Sequence, residues 1–547
     1  MILAATAAYA QKSGEWWKGA VIYEIYPRSF ADSNGDGVGD LNGITRHLDY
    51  LRTLGVDAIW ITPFYPSPQV DFGYDISDYE AVDPQYGTLA DFDNLVAQAK
   101  KRNIRVIVDF VLNHTSDRHP WFQESRSSRT NTKADWYVWR DGRPGNQPPN
   151  NWVSIFGHSA WQFESLRAQF YYHAFYKQQP DLNWTNHAVR NAMYDVARFW
   201  MKRGVAGFRL DAVTSLFEDS ELRDEPVDKP GVDAYGDPIL KHEYTNNLPQ
   251  AHEVLRELRQ VTDEFPGRVL IGETYLPNIT ELAKMYGAHN DELQLPMDTQ
   301  FAFSTLSADA FRDKLRAAET GLNGNIPLFF TDNHDNRRSW TRYSDKKNDA
   351  AIAKLLATVL LMPRSTALLY YGQEIGMENH DPERLEDVRD PIGKMGWPKE
   401  KGRDGERTLM QWDSGTDAGF STAAATWLPV APGYASRNVA SEMKDPASLL
   451  NYYTALIRLR KTNPALRSGD FALVNESDKN VLAFTRRAQD GSTVLVALNF
   501  TATQQIVAFR IGSRARTLLS TFAKAGDTVD LKALALPAYG TFVGRVE

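Results

Sequence analysis

The heptapeptide Gly207-Phe208-Arg209-Leu210-Asp211-Ala212-Val213 decides the fold. It follows a helix-like run, 189–203, and Gly204, a residue type that commonly ends helices. Side chains alternate along a strand, so Arg209 and Asp211 point to the same face. Two charges on one face of a buried parallel strand are costly unless they are paired or used. A structural ion pair and a functional site both fit this stretch alone, and the rest of the chain has to decide between them.

The composition is that of an ordinary globular protein. Its 547 residues are too many for one core and predict two or three domains. With 61 basic and 69 acidic residues the net charge is −8, which gives no basic footprint for a nucleic-acid partner. No apolar run approaches the length of a membrane span, so no membrane partner is expected. The absence of cysteine excludes disulfides, zinc–thiolate sites and cysteine nucleophiles.

Short runs rich in β-branched and aromatic residues recur along the chain, and helix-like stretches separate many of them. The predicted strands are 21–26, 58–64, 105–111, 207–213, 269–275, 292–298, 326–332 and 366–372. The predicted helices include 41–54, 89–102, 189–202, 252–263 and 348–361. Such alternation predicts a parallel sheet, and eight strands favour a (β/α)8 TIM barrel of the α/β class. A Rossmann fold is weakened because no glycine-rich dinucleotide turn follows the first strand.

Polar residues gather at one end of these predicted strands. They are Asp109, Asn113 and His114 on the third, Arg209 and Asp211 on the fourth, Glu273 on the fifth, and His334 and Asp335 after the seventh. The C-terminal ends of all barrel strands converge on one mouth, where barrel active sites lie. The same arrangement on four strands is hard to attribute to chance. The sequence therefore predicts a site at that mouth.

Two long segments interrupt the alternation. Residues 115–178, aromatic and rich in Pro, Gly and Asn, predict a small inserted subdomain after the third strand. Residues 216–249 form a second insertion after the fourth strand. The barrel itself is expected to occupy 14–114 and 179–465. Alternating runs in the remainder, 466–547, predict a C-terminal all-β sandwich domain.

An acidic loop near the start has oxygen ligands at alternate positions. The candidate metal ligands are Asp32, Asn34, Asp36, the backbone carbonyl of Val38, and Asp40. Hard cations need such a cage, and glycines allow its tight turn. The spacing matches nine positions of an EF-hand loop, but position twelve is Gly43 rather than glutamate. The loop predicts a structural calcium ion, with magnesium second and a metal-free turn as the other alternative. No organic cofactor is expected.

Three acidic residues at the mouth suit glycoside hydrolysis with retention of configuration. That reaction needs an ionised nucleophile and a protonated general acid about 5–5.5 Å apart. Arg209, on the face of Asp211, is expected to keep that carboxylate ionised by lowering its pKa. Burial and like charge are expected to keep Glu273 protonated. Asp335 would then hold substrate hydroxyls.

With these acidic residues in their sequence context, the chain resembles the α-amylase family, glycoside hydrolase family 13, over essentially its whole length. The four family motifs stand as Asp109-Phe-Val-Leu-Asn113-His114, Gly207-Phe-Arg209-Leu-Asp211-Ala, Gly272-Glu273-Thr and Thr331-Asp-Asn-His334-Asp335. The resemblance implies that Asp211 is the nucleophile, Glu273 the acid/base and Asp335 the transition-state stabiliser. Gln179-Pro-Asp-Leu-Asn183 and the stretch from Gly402 to Trp412 resemble the oligo-1,6-glucosidase/α-glucosidase branch.

The same resemblance implies a set of sugar-binding residues. They are Asp71, Tyr74, His114, Arg209, His334 and Arg403, with Arg407 as the alternative to Arg403. Branch members that cleave α-1,6 bonds usually carry valine after the nucleophile, whereas this chain has Ala212. That departure favours α-1,4 bonds, sucrose or glucosyl transfer, although plain packing variation also accounts for it.

The expected function is a retaining exo-α-glucosidase that releases glucose from short α-glucosides, with some transglucosylation. The alternatives are an α-glucosyltransferase, sucrose isomerase or trehalose synthase of the same family. A catalytically inactive binding subunit is disfavoured because the carboxylates are present. The aromatic and polar residues of the acceptor site are expected among Phe156, Phe175, Phe301 and Glu374. The expected partner is a small oligosaccharide, and the chain is expected to be a monomer or homodimer.

The first ten residues are small and apolar, and 8–10 loosely resemble a signal-cleavage site. They lack a basic segment before the apolar run, which a secretory signal needs. We therefore expect a flexible N-terminus, residues 1–13, and a cytoplasmic protein. A periplasmic location stays open if these residues are the remnant of a signal.

Overall fold

A computed structural model describes residues 15–547, so the predicted flexible N-terminus, 1–13, lies outside the described residues. Eight parallel strands form one sheet. They are β1 Val21–Ile25, β2 Ala58–Ile61, β3 Arg105–Val111, β4 Gly207–Asp211, β5 Val269–Gly272, β6 Leu295–Pro296, β7 Leu328–Phe329 and β8 Thr366–Tyr370. They pair in the order β6-β5-β4-β3-β2-β1-β8-β7. A single bridge between Met297 and Leu328 joins the two edges. The predicted (β/α)8 barrel is confirmed.

Strands β6 and β7 have only two residues each and are shorter than the sequence predicts. In β6 the reason is local. Pro296 has no N–H to continue the ladder, and two residues later Asp298 accepts a hydrogen bond from the backbone N–H of Phe301 at 3.1 Å. That bond caps a short helix, Thr299–Ala302, which takes the chain out of the sheet.

Helices follow the strands around the outside of the barrel. Their bounds are Pro27–Phe30, Leu41–Arg46, Leu48–Leu54, Leu89–Lys101, Pro120–Ser127, His187–Lys202, Ala251–Asp263, Ile279–Lys284, Thr299–Ala302, Ala308–Gly321, Ser339–Arg342, Asp349–Leu361, Pro391–Gly396, Val439–Glu442, Leu449–Thr462 and Pro464–Ser468. Leu89–Lys101 starts at a capping box in which Thr88 and Asp91 satisfy each other's backbone N–H groups. The predicted helix 41–54 is divided at His47, which ends one helix and begins the next.

The sheet register puts the polar residues of neighbouring strands side by side. Asp109 of β3 pairs with Arg209 of β4, and Val111 pairs with Asp211. On the other edge of β4, Arg209 lies beside Ile271 of β5. Because all eight strands are parallel, their C-terminal ends open at one mouth. None of the helices in residues 15–547 is long and apolar enough to cross a bilayer.

The inserted subdomain after β3 is built on a three-stranded antiparallel sheet. Its strands, in sheet order, are Trp139–Arg140, Gln169–Tyr172 and Trp161–Glu164. Trp152 and Trp161 are buried in its small core with their rings 5.7 Å apart. The second insertion contains a hairpin of Val227–Val232 and Pro238–Leu240. Asp237 in that hairpin accepts a hydrogen bond from the backbone N–H of His158 at 2.5 Å, so the two insertions meet.

The C-terminal domain consists of two antiparallel sheets. Its strands are β9 Asp470–Val474, β10 Val481–Arg487, β11 Thr493–Asn499, β12 Gln505–Val507, β13 Arg514–Ser520, β14 Thr528–Asp530, β15 Leu534–Leu536 and β16 Thr541–Val546. One sheet has the order β9-β10-β11-β16-β13-β14, and the other pairs β12 with β15. Buried side chains from both sheets, such as Val481, Leu495 and Leu536, form one cluster. The predicted β-sandwich is confirmed.

Candidate active site

A pocket of about 840 Å³ occupies the mouth of the barrel. Eight of the nine residues predicted for catalysis or sugar binding line it, namely Asp71, Tyr74, His114, Asp211, Glu273, His334, Asp335 and Arg403. The ninth, Arg209, is completely buried beneath them. The volume lies within the range of about 300–1,000 Å³ that is usual for small-molecule sites. The structure therefore brings together the whole predicted site apart from the metal loop.

Arg209 is the hub of the pocket floor. Its Nη1 lies 2.6 Å from Asp211 Oδ1 and 3.0 Å from Asp109 Oδ1, and its Nη2 lies 2.8 Å from Glu273 Oε1. One guanidinium group thus spans the gap between Asp211 and Glu273. The shared arginine keeps the two carboxyl groups close together, as a retaining glycosidase requires.

Because Arg209 is shared, the pKa values of Asp211 and Glu273 differ from a simple pairing of Arg209 with Asp211. Burial raises the pKa of Asp211 to about 7, and the nearby Arg209 only partly opposes this. Burial also raises the pKa of Glu273 to about 7, with Arg209 opposing and Asp211 adding to the rise. The expectation for Glu273 agrees with this direction. Arg209 lowers the pKa of Asp211, as expected, but burial outweighs this effect and the net shift is upward. The same arginine also serves Asp109 and Glu273.

Asp335 has the opposite environment. Its carboxylate lies 3.1 Å from His334 Nε2, 3.1 Å from Arg403 Nη1 and 2.9 Å from Arg407 Nη2. Burial acts to raise its pKa, but His334 and the two arginines together lower the pKa well below the ordinary value. The surroundings of Asp335 therefore favour its anionic form, whereas the pKa values of Asp211 and Glu273 are raised to about 7.

Arg403 lines the pocket beside Asp71 and Asp335. Its Nη2 lies 2.7 Å from Asp71 Oδ1 and its Nη1 lies 3.1 Å from Asp335 Oδ1. The alternative candidate, Arg407, also reaches Asp335, but it is 1% exposed and does not line the pocket. The geometry favours Arg403 for contact with a bound sugar. Arg407 supports Asp335 from behind and donates to the carbonyl of His334 at 2.8 Å.

The sequence did not predict the roles of two residues around Arg403 and Asp71. Asp390 binds the Nε of Arg403 at 2.7 Å and holds the guanidinium in place. It belongs to no motif, so only the folded loop identifies it. The side-chain amide of Gln179 donates to Asp71 at 3.2 Å and lies 3.0 Å from His114 Nε2. Its motif was visible in the sequence, but the link that it makes between two sugar-facing residues was not.

Tyr74 connects the pocket wall to the floor. Its hydroxyl donates to Asp109 Oδ2 at 3.0 Å and lies 2.7 Å from His334 Nε2. The rings of Tyr74 and His334 are nearly parallel, with an interplanar angle of 8°. His334 also lies 2.6 Å, through Nδ1, from Glu24 on β1. Strands β1 and β3, and the loops after β2 and β7, therefore share one hydrogen-bonded layer under the carboxylates.

Ala212 follows Asp211 in a left-handed backbone conformation, with φ 46° and ψ 40°. This conformation turns its backbone N–H toward Glu273 Oε2, to which it donates at 2.9 Å. The side chain lines the pocket between the two carboxylates. A position with positive φ is strained for a β-branched residue. The size and backbone geometry of residue 212 therefore both bear on the space beside the reacting bond.

The candidates for the acceptor side are only partly right. Phe156 and Phe175 line the pocket, and Phe156 lies 5.4 Å from the guanidinium of Arg403. Phe301 and Glu374 are each completely buried and contribute nothing to the pocket wall. Phe301 stacks on Phe329 in the core at 4.1 Å, so its aromatic character reflects packing. Tyr275, which was not among the candidates, also lines the pocket and is 46% exposed.

The acidic loop lies away from these carboxylates. Asp32 accepts backbone N–H groups from Asn34 and Gly37, and Asp40 caps the helix Leu41–Arg46 through Gly43 N. Across the described part of the chain, no group of three or more His, Cys, Asp or Glu side chains is arranged to hold a metal. The carboxylates are thus already used by the loop's own backbone. The metal hypothesis stays a prediction, and no catalytic step depends on it.

The family model described as Alpha amylase, catalytic domain, matches residues 24–469. A protein named Probable alpha-glucosidase from Rhizobium meliloti is 42% identical over 561 residues, covering 99% of each chain. An Oligo-1,6-glucosidase of Parageobacillus thermoglucosidasius is 38% identical, covering 88% of this chain and 90% of that one. The solved structure of an alpha-glucosyl transfer enzyme matches with a TM-score of 0.90 at 40% identity, covering 97% of this chain and 100% of that one. The chain belongs to the α-amylase family of glycoside hydrolases.

Proposed function

We propose that this protein is a retaining exo-α-glucosidase that acts on short α-glucosides of the maltose or sucrose type. The observation that carries the proposal is the bridge that Arg209 makes between Asp211 at 2.6 Å and Glu273 at 2.8 Å. This bridge supports the proposal because it holds two carboxyl groups with raised pKa values close together at the site where we expect the glycosidic bond to lie. Both line the same pocket as the anion Asp335.

In the first step, Glu273 donates its proton to the glycosidic oxygen as that oxygen leaves the anomeric carbon. Asp211 attacks the same carbon and forms a covalent β-glucosyl ester. In the second step, Glu273 takes a proton from water while the water oxygen attacks the anomeric carbon and Asp211 leaves. Asp335 remains ionised throughout and stabilises the positive charge that develops on the sugar ring.

The proton that the mechanism needs is available near pH 7. Because Asp211 and Glu273 both have pKa values raised to about 7, the pair carries about one proton there. The productive state has that proton on Glu273, and Arg209 stabilises the negative charge left on Asp211. We expect kcat/KM to follow a bell-shaped dependence on pH with its maximum near neutrality, each limb belonging to the pair as a whole.

The exo mode rests on the pair that Arg403 and Asp71 form at 2.7 Å in the pocket wall. We expect this pair to bind the non-reducing end and to limit the pocket to one terminal glucose. The two insertions, which meet at His158 and Asp237, add further wall residues such as Phe156 and His242. We expect specificity constants to be highest on di- and trisaccharides and to fall with chain length, with glucose as the only monosaccharide released from maltose oligomers. Release of mixed oligosaccharides from soluble starch would contradict a closed pocket.

The experiment that tests the reaction uses maltose, sucrose, isomaltose and trehalose, with the configuration of the first glucose released followed by NMR. Retention gives α-glucose before mutarotation. The Asp211→Asn variant should keep the fold, as judged by circular dichroism and thermal unfolding, and lose nearly all turnover. Near-normal turnover of this variant on any α-glucoside would reject Asp211 as the nucleophile.

A second candidate is glucosyl transfer to a sugar or alcohol acceptor. It is supported by the similarity to the alpha-glucosyl transfer enzyme and by the apolar side chains Phe156, Phe175 and Ile155 in the pocket wall. An apolar wall favours an organic acceptor over water for the same covalent intermediate. Transfer is measured as the ratio of glucose to new glucoside while the acceptor concentration is varied. A ratio that does not change with acceptor excludes transfer.

We also propose that the loop with Asp32, Asn34, Asp36, Val38 and Asp40 binds a structural calcium ion, supported by the alternation of its oxygen ligands. Chelation should lower the thermal midpoint and leave the pH dependence of kcat/KM unchanged, because the loop contributes no residue to the pocket. If metal analysis shows that chelation has removed all metal and the thermal midpoint is unchanged, the site is rejected.

The expectations that the protein is a monomer or homodimer and that it is cytoplasmic stay predictions.

A further inference from the structure

Glu24 on β1 is a buried acid with no part in the mechanism above. It is fully inaccessible to solvent. Its Oε1 accepts a hydrogen bond from the backbone N–H of His334 at 3.2 Å and lies 2.6 Å from His334 Nδ1. Its other oxygen, Oε2, has no hydrogen-bond partner among residues 15–547. Buried polar groups are almost always hydrogen-bonded. The question is therefore which atoms of Glu24 and His334 carry the hydrogens of this contact.

The surroundings of His334 Nε2 require a hydrogen on that nitrogen. The Tyr74 hydroxyl uses its own hydrogen toward Asp109 at 3.0 Å, so its oxygen is free to accept from Nε2 at 2.7 Å. Asp335 Oδ2 lies 3.1 Å from the same nitrogen and, as an anion, can only accept. A bare nitrogen would direct its lone pair at this negative charge. Nε2 therefore carries a hydrogen.

The opposite nitrogen needs a hydrogen as well. The distance of 2.6 Å between Nδ1 and Glu24 Oε1 is that of a short hydrogen bond, with one hydrogen between the two atoms. Glu24 and His334 together thus hold two hydrogens, one more than a glutamate anion beside a neutral imidazole. The extra proton resides on Nδ1 or on Oε1, and in both cases Nε2 remains a donor.

The charges around this pair are dense. Burial raises the pKa of Glu24 well above its usual range, and burial lowers the pKa of His334. The charged groups that face the two residues are Arg209, Asp109, Asp335, Arg403 and Arg407. Neither residue is stable as an isolated ion in this setting, which is why sharing one proton between them suits the site.

We propose that Glu24 is a positioning residue that keeps a hydrogen on His334 Nε2, where it faces Tyr74 and Asp335. The inference rests on the proposed glucosidase reaction, because His334 lines the pocket beside the anion that stabilises the sugar cation. With Nε2 as a donor, Asp335 keeps its orientation and its charge. Without the shared proton, the imidazole would turn a lone pair toward Asp335 and oppose both.

The test is Glu24→Gln. An amide oxygen in place of Oε1 still accepts from the backbone N–H and from Nδ1–H, but it supplies no proton and no negative charge. Neutral His334 is then left bare at Nε2. We expect kcat/KM to fall about 10-fold or more, the weight of one charge-assisted hydrogen bond. The pH profile should also move, because losing the hydrogen on Nε2 changes the electrostatic surroundings of Asp335 and of the pair Asp211 and Glu273, to which both limbs belong.

Glu374→Gln is the matched control. Glu374 is as completely buried as Glu24 and accepts hydrogen bonds from the hydroxyls of Tyr23 at 2.7 Å and Tyr50 at 2.5 Å. It does not line the pocket. Its variant should lower the thermal midpoint like any loss of a buried acid and leave the pH profile unchanged. An equal profile shift in both variants would overturn the proposal, as would a Glu24→Gln enzyme with the wild-type rate and profile.

A second measurement does not depend on catalysis. Ring ¹⁵N shifts of histidine-labelled wild-type protein, with His334→Asn used for assignment, report whether each ring nitrogen carries a hydrogen. We expect Nε2 of His334 to be protonated from pH 6 to pH 8. A bare Nε2 would overturn the proposal even if the Glu24→Gln variant does not fold. An inactive wild-type enzyme with a protonated Nε2 would instead count against the proposed reaction alone.

Discussion

Arg403→Lys is the sharpest test of how the pocket holds a terminal sugar. The guanidinium contacts three carboxylates at once, Asp71 at 2.7 Å, Asp335 at 3.1 Å and Asp390 at 2.7 Å. Its side chain is only 12% exposed, so water replaces few of these contacts. A lysine ammonium keeps the charge but is a point donor that cannot reproduce the planar fork. We expect the ammonium to keep its contact with Asp390 and to lose its contact with Asp71, with Asp335, or with both.

Each hydrogen bond to a charged group contributes about 1.5–3 kcal/mol. Partial rescue by water in the open pocket reduces the sum, so we expect a loss of about 2–4 kcal/mol in transition-state stabilisation, or ~30-fold to ~1,000-fold in kcat/KM. The assay is glucose release from maltose over a range of concentrations. Since Asp71 and Asp335 face the sugar, both KM and kcat should be affected.

Arg460→Lys is the control, because it makes the same substitution at another buried arginine that lies outside the pocket. Arg460 is 2% exposed and donates to backbone carbonyls, including those of Gly19 and Pro363, rather than to carboxylates. Its variant should lose stability but keep kcat/KM near the wild-type value. A wild-type kcat/KM for Arg403→Lys, or a loss no larger than in Arg460→Lys, would refute the assignment of Arg403 to the sugar.

Three further predictions concern the acid, the linkage and the stability. Glu273→Gln should lose far more activity on maltose than on 4-nitrophenyl glucoside, because a good leaving group needs no protonation. Ala212→Val should raise kcat/KM on isomaltose relative to maltose, and the strain at φ 46° should also lower its thermal midpoint. Burial raises the pKa of Glu406 to about 8, so the native state retains a proton that the unfolded chain releases above its ordinary pKa. The free energy of unfolding should therefore fall between pH 5 and pH 8, by up to about 1.4 kcal/mol per pH unit from this group, and Glu406→Gln should remove that part of the slope.

The outcomes that contradict these predictions are equally specific. Equal losses on both substrates would argue against Glu273 as the acid. For Ala212, the glycine variant separates backbone strain from side-chain bulk, and a linkage ratio that moves equally in Ala212→Gly rejects the role of bulk. Glu476→Gln is the matched control for Glu406, because the Glu476 side chain is 54% exposed. If the free energy of unfolding depends on pH equally in wild type and Glu406→Gln, Glu406 does not hold a proton in the native state.

The sequence by itself determined the barrel and the identity of the three acidic residues and most of the candidate sugar-binding residues in the pocket. Strand–helix alternation is a local property, written in periodicity and turn residues, and it survives in every strand from Val21–Ile25 to Thr366–Tyr370. Once the strands are parallel, their C-terminal ends must meet. Asp211 and Glu273 could therefore be assigned to one site without knowledge of any distance between them.

Only the tertiary structure decided how charge is distributed in that site. Whether Arg209 serves one carboxylate or three depends on which atoms lie within about 3 Å of it. Asp211 is its neighbour on β4, but Asp109 of β3 and Glu273 after β5 are distant in sequence. The choice between Arg403 and Arg407 likewise followed from the loop that Asp390 holds in place. Coulomb interactions and desolvation depend on distance and burial in space, and periodicity along a chain carries no information about either. For the same reason Glu24, one more apolar-flanked residue of β1 in the sequence, acquires its role only beside His334.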